Sequence, residues 1–274
     1  MRRAFYQNGW LGFGHDPQIS AWLDQVRETA LGARHDAAMI RAWLRCQGTW
    51  FVGVNALQND GAGRVAGAGP LEGRVMRFIR RDLGFGDRPL DRAQVSICYP
   101  GYPKPNPGES DAAAQFRRRR DAAHIDGLHP VGPKRRRKLL EFQGFILGLP
   151  LTHASMGAAP LVVWQGSHHI IGRALRHALR DVTPEKWPEV DLTKIYHSAR
   201  KEVFATCPRV ELHALPGEAH VLHRMALHGV APWKQNASAN PAGRAILYFR
   251  PEIEPQTWLA ADPDAITDET DVES

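Results

Sequence analysis

The sequence predicts a mixed fold that is mainly β with α, in which a helical N-terminal part over residues 1–90 precedes a β core over residues 91–251. Within the first ninety residues, apolar side chains recur at spacings of three and four, which is the period of an amphipathic helix. From Gln94 onward, short β-like segments alternate with proline and glycine, as in a β-sandwich or barrel. The 274 residues are 43% hydrophobic and 23% charged, which is typical of a globular chain with a single domain.

Helices account for most of the N-terminal part. The first follows the Asp16-Pro17 pair, which supplies a cap and a first-turn proline, and its apolar face extends from Ile19 to Ala30. Further helices are predicted over about 36–44 and 70–83. A short strand over 49–54 and a glycine-rich loop over 58–69 separate them.

The core is predicted to contain short strands with two helical insertions, and it has no internal repeat. The predicted strands are 94–99, 123–126, 138–149, 161–164, 210–214, 220–224 and 244–250, and the predicted helices are 172–180 and 184–198.

The composition argues against several classes of protein. The longest apolar stretch, 145–151, is far shorter than the roughly 18 residues that a membrane-spanning helix needs. The N-terminus has no apolar signal segment, so a cytoplasmic location is expected. Cys46, Cys98 and Cys207 are an odd number without a close pair, which predicts reduced thiols and not a disulfide framework or a CxxC zinc site.

Charge is divided unevenly along the chain. The formal net charge is +6, but residues 251–274 contain eight acids and no base, and residues 252–274 are therefore predicted to form an acidic, mobile tail. The preceding residues carry a net charge of +14. A basic body of this kind attracts anionic partners, which include nucleic acid, a membrane surface and a charged small molecule.

A candidate metal site begins at the triplet His124-Ile125-Asp126. On a strand, residues two apart point to the same face, so an imidazole and a carboxylate would converge there. About a hundred residues later, the segment 217–229 offers further histidines on a strand and its turn. Two histidines and one carboxylate form the facial triad of non-heme Fe(II) oxygenases, which leaves three metal positions open.

Four further segments fall in the order found in the phytanoyl-CoA dioxygenase-like family of Fe(II)/2-oxoglutarate-dependent oxygenases, and the resemblance covers roughly residues 94–250. His124-Ile125-Asp126 resembles the H-x-D motif of that family. The other matching segments are the strand and Pro-Gly turn at 94–101, the stretch 160–168 that is similar to G-P-L-x-x-x-P-G-S-H, the segment 217–229 that ends in His228-Gly229, and the terminal strand 244–250.

The resemblance implies a double-stranded β-helix, also called a jelly roll, as the core. It implies that His124, Asp126 and His228 bind Fe(II) and that Arg244 pairs with the distal carboxylate of 2-oxoglutarate. A guanidinium suits that role because it contacts a carboxylate through two parallel hydrogen bonds. The implied reaction consumes O2, hydroxylates an unactivated C–H bond, and releases succinate and CO2.

Two glutamines are further candidates for the co-substrate pocket. Gln94 and Gln143 each lie on a predicted strand and are expected to face the interior of the core. The family members that halogenate lack the carboxylate of the H-x-D motif, so Asp126 favours hydroxylation or a related oxidation.

Several residues depart from the family pattern. Val230 stands where a serine often helps to hold the co-substrate, Arg244 follows His228 by sixteen residues, which is more than usual, and Gln165 and Ala159 replace a proline and a glycine. Other histidines compete as metal ligands. His129, His220 and His223 are the competitors, whereas His168 and His169, beside a helix that begins at Ser167, are interpreted as structural.

The substrate is indicated only by charge. Nine basic residues flank the H-x-D motif, as Arg117–Arg120 and Lys134–Lys138. If these runs cover the cleft, the substrate is a small anionic metabolite. The competing interpretation is that they are solvated loop charges or pair with the acidic tail. Trp233 is a candidate for the substrate mouth, with buried packing as its alternative.

Two other functions are compatible with these motifs. Nucleic-acid dealkylating dioxygenases also carry H-x-D, a distal histidine and a terminal arginine pair that resembles Arg244 and Arg250, and the basic runs would then follow phosphates. A catalytically silent, cupin-like binding module is the third possibility, because one fold hosts many functions.

Overall fold

The computed structural model describes residues 1–65 and 67–263. Helices are interspersed with strands throughout these described residues. The helices are α1 Arg2–Asn8, α2 Pro17–Gly32, α3 Ala37–Trp43, α4 Arg74–Arg77, α5 Asp111–Arg119, α6 Ser167–Leu179, α7 Thr193–Thr206 and α8 Pro255–Leu259, with 3-10 turns at Ala33–His35 and Pro184–Glu189 and a π turn at Phe78–Asp82. The strands are β1 Trp10–Phe13, β2 Leu44–Arg45, β3 Trp50–Phe51, β4 Gln94–Cys98, β5 Leu128–Val131, β6 Arg136–Leu139, β7 Phe145–Pro150, β8 Leu161–Trp164, β9 Arg209–Leu212, β10 Ala219–His223, β11 His228–Val230 and β12 Arg244–Phe249.

The strands form antiparallel sheets, which confirms the predicted mixture of α and β structure. A seven-stranded sheet has the order β1-β10-β7-β12-β4-β3-β2, and a three-stranded sheet has the order β11-β8-β9. A separate hairpin pairs β5 with β6. The N-terminal part is not purely helical, because β1 pairs with β10 at one edge of the large sheet.

Side chains alternate between two apolar layers because successive residues of a strand point to opposite faces. On β12, Ile246 and Tyr248 lie between the two sheets, together with Leu161 and Val163 of β8. Leu247, on the opposite face of β12, packs in the core that includes the buried face of α2. A third cluster joins α6, α7 and α8 to the outer side of the small sheet.

The start of α2 is organised by Asp16. Its carboxylate accepts a hydrogen bond from the Gln18 backbone N–H at 3.0 Å, as the sequence predicts for an N-cap. The second oxygen accepts one from the Arg74 backbone N–H at 2.7 Å, at the start of α4. One buried carboxylate therefore caps two helices. The helix that was predicted over 70–83 therefore begins only at Arg74.

Two predicted strands differ in the structure. Residues 123–126 are not a strand, because only His124 forms an isolated bridge, which pairs it with His228. The predicted strand 138–149 is two strands, β6 and β7, which are separated by residues 140–144.

The predicted mobile tail does not begin at residue 252. Trp258 of α8 is fully buried, and Asp262 pairs with His223 at 2.9 Å and with Arg224 at 3.2 Å. Residues 264–274, with the remaining acids of the predicted tail, lie outside the described residues. Among residues 1–65 and 67–263, no helix combines the length and apolarity needed to cross a bilayer.

Candidate metal centre and its cavity

Three predicted ligands converge in the structure. The Nε2 atom of His124 lies 3.4 Å from Oδ1 of Asp126, and Nε2 of His228 lies 3.7 Å from the same oxygen. One ligand atom from each residue lies within 4.8 Å of the others, so the group could hold a metal ion. Two imidazoles and one carboxylate are the donor set of a facial triad.

The backbones of the two histidines hold this arrangement in place. The His124 N–H donates to the His228 carbonyl at 2.8 Å, and the His228 N–H donates to the His124 carbonyl at 2.9 Å. Glycine is required at 229, because a Cβ atom there would lie 2.1 Å from the Asp121 carbonyl oxygen. The His-Gly pair of the motif thus permits a close approach of two chain segments.

Hydrogen bonds also fix which ring nitrogen of each histidine is free. Nδ1 of His124 lies 3.0 Å from the Ala122 carbonyl, and Nδ1 of His228 lies 3.0 Å from the Ala226 carbonyl. A carbonyl only accepts, so both Nδ1 atoms carry a proton, and the Nε2 atoms, which face Asp126, are the ones available to a metal. A hydrogen bond from the other ring nitrogen to a carbonyl is what orients histidines that bind metals.

The charge states also suit a metal centre. Burial, with a contribution from His124, lowers the pKa of His228 to about 4, so the ring is neutral near pH 7. Burial alone would raise the pKa of Asp126, but Arg250, His124 and His228 together hold it well below its usual range. The site therefore presents an ionised carboxylate beside a neutral imidazole.

A cavity of about 160 Å³ opens beside these residues. Apolar and aromatic side chains form much of its wall. The lining residues are Trp50, Val52, Val54, Gln94, Ser96, Tyr102, Asp121, Ala122, His124, Asp126, Ile146, Leu161, His228, Gly229, Val230, Tyr248 and Arg250.

Arg244 lies deeper than the cavity wall. It is buried, and one of its Nη atoms donates to the Ala159 carbonyl. It borders a smaller cavity of about 20 Å³ together with His220 and Thr152, and it is not a lining residue of the larger one. Tyr248, on the same face of β12, lines the larger cavity, and the nearby charge of Arg244 offsets part of the rise that burial causes in its pKa.

Unpartnered donors mark this deep end of the site. Within the described chain, Nη1 of Arg244 and the hydroxyls of Tyr102 and Tyr248 are buried without a hydrogen-bond partner. Burial raises the pKa of both tyrosines, so the hydroxyls remain protonated. Unsatisfied buried donors are costly in a folded protein, and a carboxylate is a ligand that would satisfy them.

Arg250 lies at the metal centre, a position that the sequence did not predict for it. Its Nη1 lies 3.3 Å from Oδ2 of Asp126. Its backbone N–H donates to Asp91 at 2.7 Å, and burial raises the pKa of that carboxyl to about 6. The period of two along β12 could have identified Tyr248 and Arg250, since both share a face with Arg244. No sequence signal identifies Tyr102, which follows the turn after β4.

Only one of the two predicted glutamines lies at the site. Gln94 lines the cavity, opposite Tyr248 in the register of β4 and β12. Gln143 does not line it. Its side-chain N–H donates to the Glu141 carboxylate at 2.5 Å, and its side-chain oxygen lies next to Gly127. The structure therefore does not bring Gln143 to the site.

The competing histidines take other partners. His223 pairs with Asp262, and His129 lies 3.2 Å from Glu141. His220 borders the smaller cavity near Arg244. In the part of the chain that the structure describes, His124, Asp126 and His228 are the one group of three or more His, Cys, Asp or Glu residues placed to hold a metal. His168 is buried and contacts the Tyr6 carbonyl at 2.7 Å.

The basic runs do not reach the cavity, since none of the nine residues, all of them described, lines it. Arg117 pairs with Glu109 at 2.8 Å, and Arg136 pairs with Asp191 at 3.3 Å. Further contacts are those of Arg120 over the Phe204 ring, Arg137 with the Leu128 carbonyl and Lys138 with the Glu189 carbonyl. Trp233 is also absent from the cavity wall, and it packs against the cluster of Cys46, Cys98, Tyr102 and Ala159.

No protein-family model matches the chain, and no curated protein matches its sequence. Solved structures do match. SnoK, a non-heme α-ketoglutarate-dependent carbocyclase from nogalamycin biosynthesis, shares 10% identity at a TM-score of 0.46, over 91% of this chain and 82% of its own. EctD from S. alaskensis, with 2-oxoglutarate and 5-hydroxyectoine, shares 16% identity at a TM-score of 0.42, over 91% and 74%. SnoN, an epimerase in complex with Fe3+, α-ketoglutarate and nogalamycin RO, shares 13% identity at a TM-score of 0.39, over 96% and 89%.

These structural neighbours are iron- and 2-oxoglutarate-dependent enzymes, which is the kind of protein that the motifs resemble. Their reactions differ, because a carbocyclase and an epimerase are among them. With TM-scores below 0.5, the likenesses carry no conclusion about what this chain does, and the geometry of the site is the ground for its function.

Proposed function

We propose that this chain is an Fe(II)- and 2-oxoglutarate-dependent dioxygenase that hydroxylates an unactivated C–H bond and releases succinate and CO2. Its two facing sheets are interpreted as a double-stranded β-helix. One observation carries the proposal: two histidines whose Nδ1 atoms are tied to carbonyls direct their free Nε2 atoms at Asp126, beside a cavity.

The residues present fit the proposed metal. His124, Asp126 and His228 would hold iron through two neutral nitrogens and one carboxylate oxygen, and three positions would remain for other ligands. Bound iron supplies the activation of O2 by 2-oxoglutarate, a reaction that side chains alone do not perform. Asp126 stays ionised because Arg250 and the two histidines surround it.

The residues also fit the proposed co-substrate. The distal carboxylate of 2-oxoglutarate would accept hydrogen bonds from Arg244, Tyr248 and Tyr102, whose buried donors have no partner otherwise. Tyr248 interacts with Arg244 and lines the metal cavity, so it links the deep end of the site to the metal end. Gln94, on the strand beside Tyr248, is the remaining polar candidate.

Anaerobic titration of the Fe(II) protein with 2-oxoglutarate tests the proposal. Chelation should produce a weak, saturable metal-to-ligand charge-transfer band in the visible range. The band should disappear in His228→Ala and persist in His129→Ala, a matched control in which a partly exposed histidine outside the site is removed. Absence of the band in folded, iron-loaded protein would contradict the proposal and favour a silent binding module.

Nucleic-acid dealkylation receives less support. The six-residue spacing of Arg244 and Arg250 is compatible with it, but none of the nine basic residues lines the cavity, and Arg117 and Arg136 pair with Glu109 and Asp191 of the same chain.

A further inference from the structure

We infer that the cavity binds an uncharged, largely hydrocarbon group of the substrate, and not an anionic one. The inference rests on the proposed function, because it concerns the space in front of the same metal centre. It reverses the expectation that the basic runs beside the H-x-D motif select the substrate.

The first step concerns the charges in the cavity wall. Asp121 is neutralised by Arg209, whose Nε and Nη2 atoms lie 2.7 and 2.9 Å from its two oxygens. Arg250 is the one Lys or Arg among the lining residues, and its guanidinium already serves two carboxylates: Nη1 lies 3.3 Å from Asp126, and the charge also interacts with Asp91. An anion that entered would lose its hydration, and it would find no lysine or arginine in the wall that is not already paired with a carboxylate, which is an unfavourable exchange.

The second step concerns the mouth of the cavity. Trp50, Val52, Val54 and Val230 are half-buried, so each presents apolar surface that a ligand could cover. Covering such surface is favourable roughly in proportion to its area. Ile146 and Leu161 continue the apolar wall inwards.

The third step concerns rigidity. The Trp50 indole N–H donates to the Ser96 hydroxyl at 3.1 Å, and the Trp50 ring meets the Tyr102 ring edge to face, with centroids 5.9 Å apart. The indole therefore has its polar atom satisfied and its ring fixed. The apolar part of the wall is therefore preformed, as is usual in sites for small molecules, and it faces an apolar group of the ligand while the polar residues lie around the metal centre.

Binding of a size-matched panel tests this inference. The probes are benzyl alcohol, benzoate and benzylammonium, and their dissociation constants are measured by saturation-transfer NMR. The protein is loaded with Zn(II), which is diamagnetic and redox-inert, and with saturating 2-oxoglutarate, so that the co-substrate already occupies the donors around Arg244. We expect benzyl alcohol to bind at least about tenfold more tightly than benzoate, because benzoate must shed its hydration without gaining a partner.

Two variants sharpen the test. Val54→Arg, which places a cation at the mouth, should shift the preference towards benzoate by about tenfold. The double variant Arg118→Ser, Arg119→Ser removes two exposed charges of the first basic run and should leave all three affinities unchanged.

The outcomes separate this inference from the proposed function. If 2-oxoglutarate does not bind the Zn(II) protein, the proposed function fails before any probe is added. If it binds, but benzoate binds as well as or better than benzyl alcohol, the inference alone is overturned. Failure of all three probes to bind up to their solubility limits would overturn it as well, since the cavity would then not accept an apolar ring.

Discussion

Two clusters in this molecule have nearly the same composition and different properties. The metal centre combines His124, His228, Asp126 and Arg250. A second cluster, here called the anchor cluster, combines His168, His223, Asp262 and Arg224. Each contains two histidines, one arginine and one aspartate whose side chain is less than a tenth exposed.

The difference lies in which ring nitrogens are already used. In the metal centre, both Nδ1 atoms contact carbonyls, and both Nε2 atoms are directed at the same carboxylate. In the anchor cluster, His223 accepts from the Met225 N–H at 3.1 Å through Nδ1 and contacts Asp262 through Nε2. No pair of free nitrogens converges there. Composition alone does not make a metal site, because the unused lone pairs and their direction decide it.

Removing a ligand from the metal centre should have the largest effect. Asp126→Ala or His124→Ala should abolish stoichiometric Fe(II) binding, because each removes one of three donors. The counterpart His223→Gln in the anchor cluster should retain it. Metal content after anaerobic reconstitution and desalting measures both. Equal iron binding by Asp126→Ala and the parent protein would refute the ligand assignment.

Breaking the anchor cluster should instead affect stability. Asp262→Ala leaves the buried His223 without its partner and should lower the free energy of unfolding by about 3 kcal/mol, as measured by denaturant titration. Asp181→Ala, which removes an exposed pair with Arg180, should change it by less than about 0.5 kcal/mol. If the two variants were equally stable, residues 252–263 would not be held by this cluster.

Removing Arg244 should separate co-substrate binding from metal binding. Arg244→Ala should weaken 2-oxoglutarate binding by about 2 kcal/mol, which is roughly thirtyfold, because a charge-assisted contact is lost. Iron affinity should be unchanged. Calorimetric titration of the Zn(II) protein measures the first quantity, and Tyr248→Phe should give a smaller loss in the same direction. Undiminished 2-oxoglutarate affinity in Arg244→Ala would exclude this residue from the pocket.

The most gradual expected effect concerns pH. Burial lowers the pKa of His220 and of His223 to about 4. The unfolded chain takes up these protons near pH 6.5, whereas the folded protein takes them up only near pH 4. The free energy of unfolding should therefore fall as pH falls from about 6.5 to 4, by on the order of 1 kcal/mol per pH unit and group. Unfolding curves of metal-free protein should show a shallower slope in His220→Gln, and an unchanged slope would argue against this assignment.

Local patterns predicted the regular parts of the fold well. Strand β8 and the cap of α2 at Asp16 lie where periodicity and capping chemistry place them. The alternation along β12 was also predictable, and it places Arg244, Tyr248 and Arg250 on one face.

The errors arise where the backbone is irregular. An inward-facing Gln143 requires 138–149 to be one continuous strand. Residues 140–144 instead separate β6 from β7, so the alternation of faces along a strand does not apply to Gln143. His124 and Asp126 converge through a turn and one bridge, not through a strand face. The density of basic residues along the chain did not reveal which side chains face the cavity, because tertiary contacts with Glu109 and Asp191 decide that.

The place of β1 in the large sheet has a consequence for how the chain is made. Trp10 pairs with Leu222, so β1 is synthesised about 200 residues before the strand with which it pairs. Until β10 is synthesised, the edge formed by β1 has no neighbour, and an unpaired edge is a template for association between chains. We therefore expect nascent chains to depend on chaperones until β10 is synthesised. A ribosome that stalls before β10 would prolong the exposure of β1.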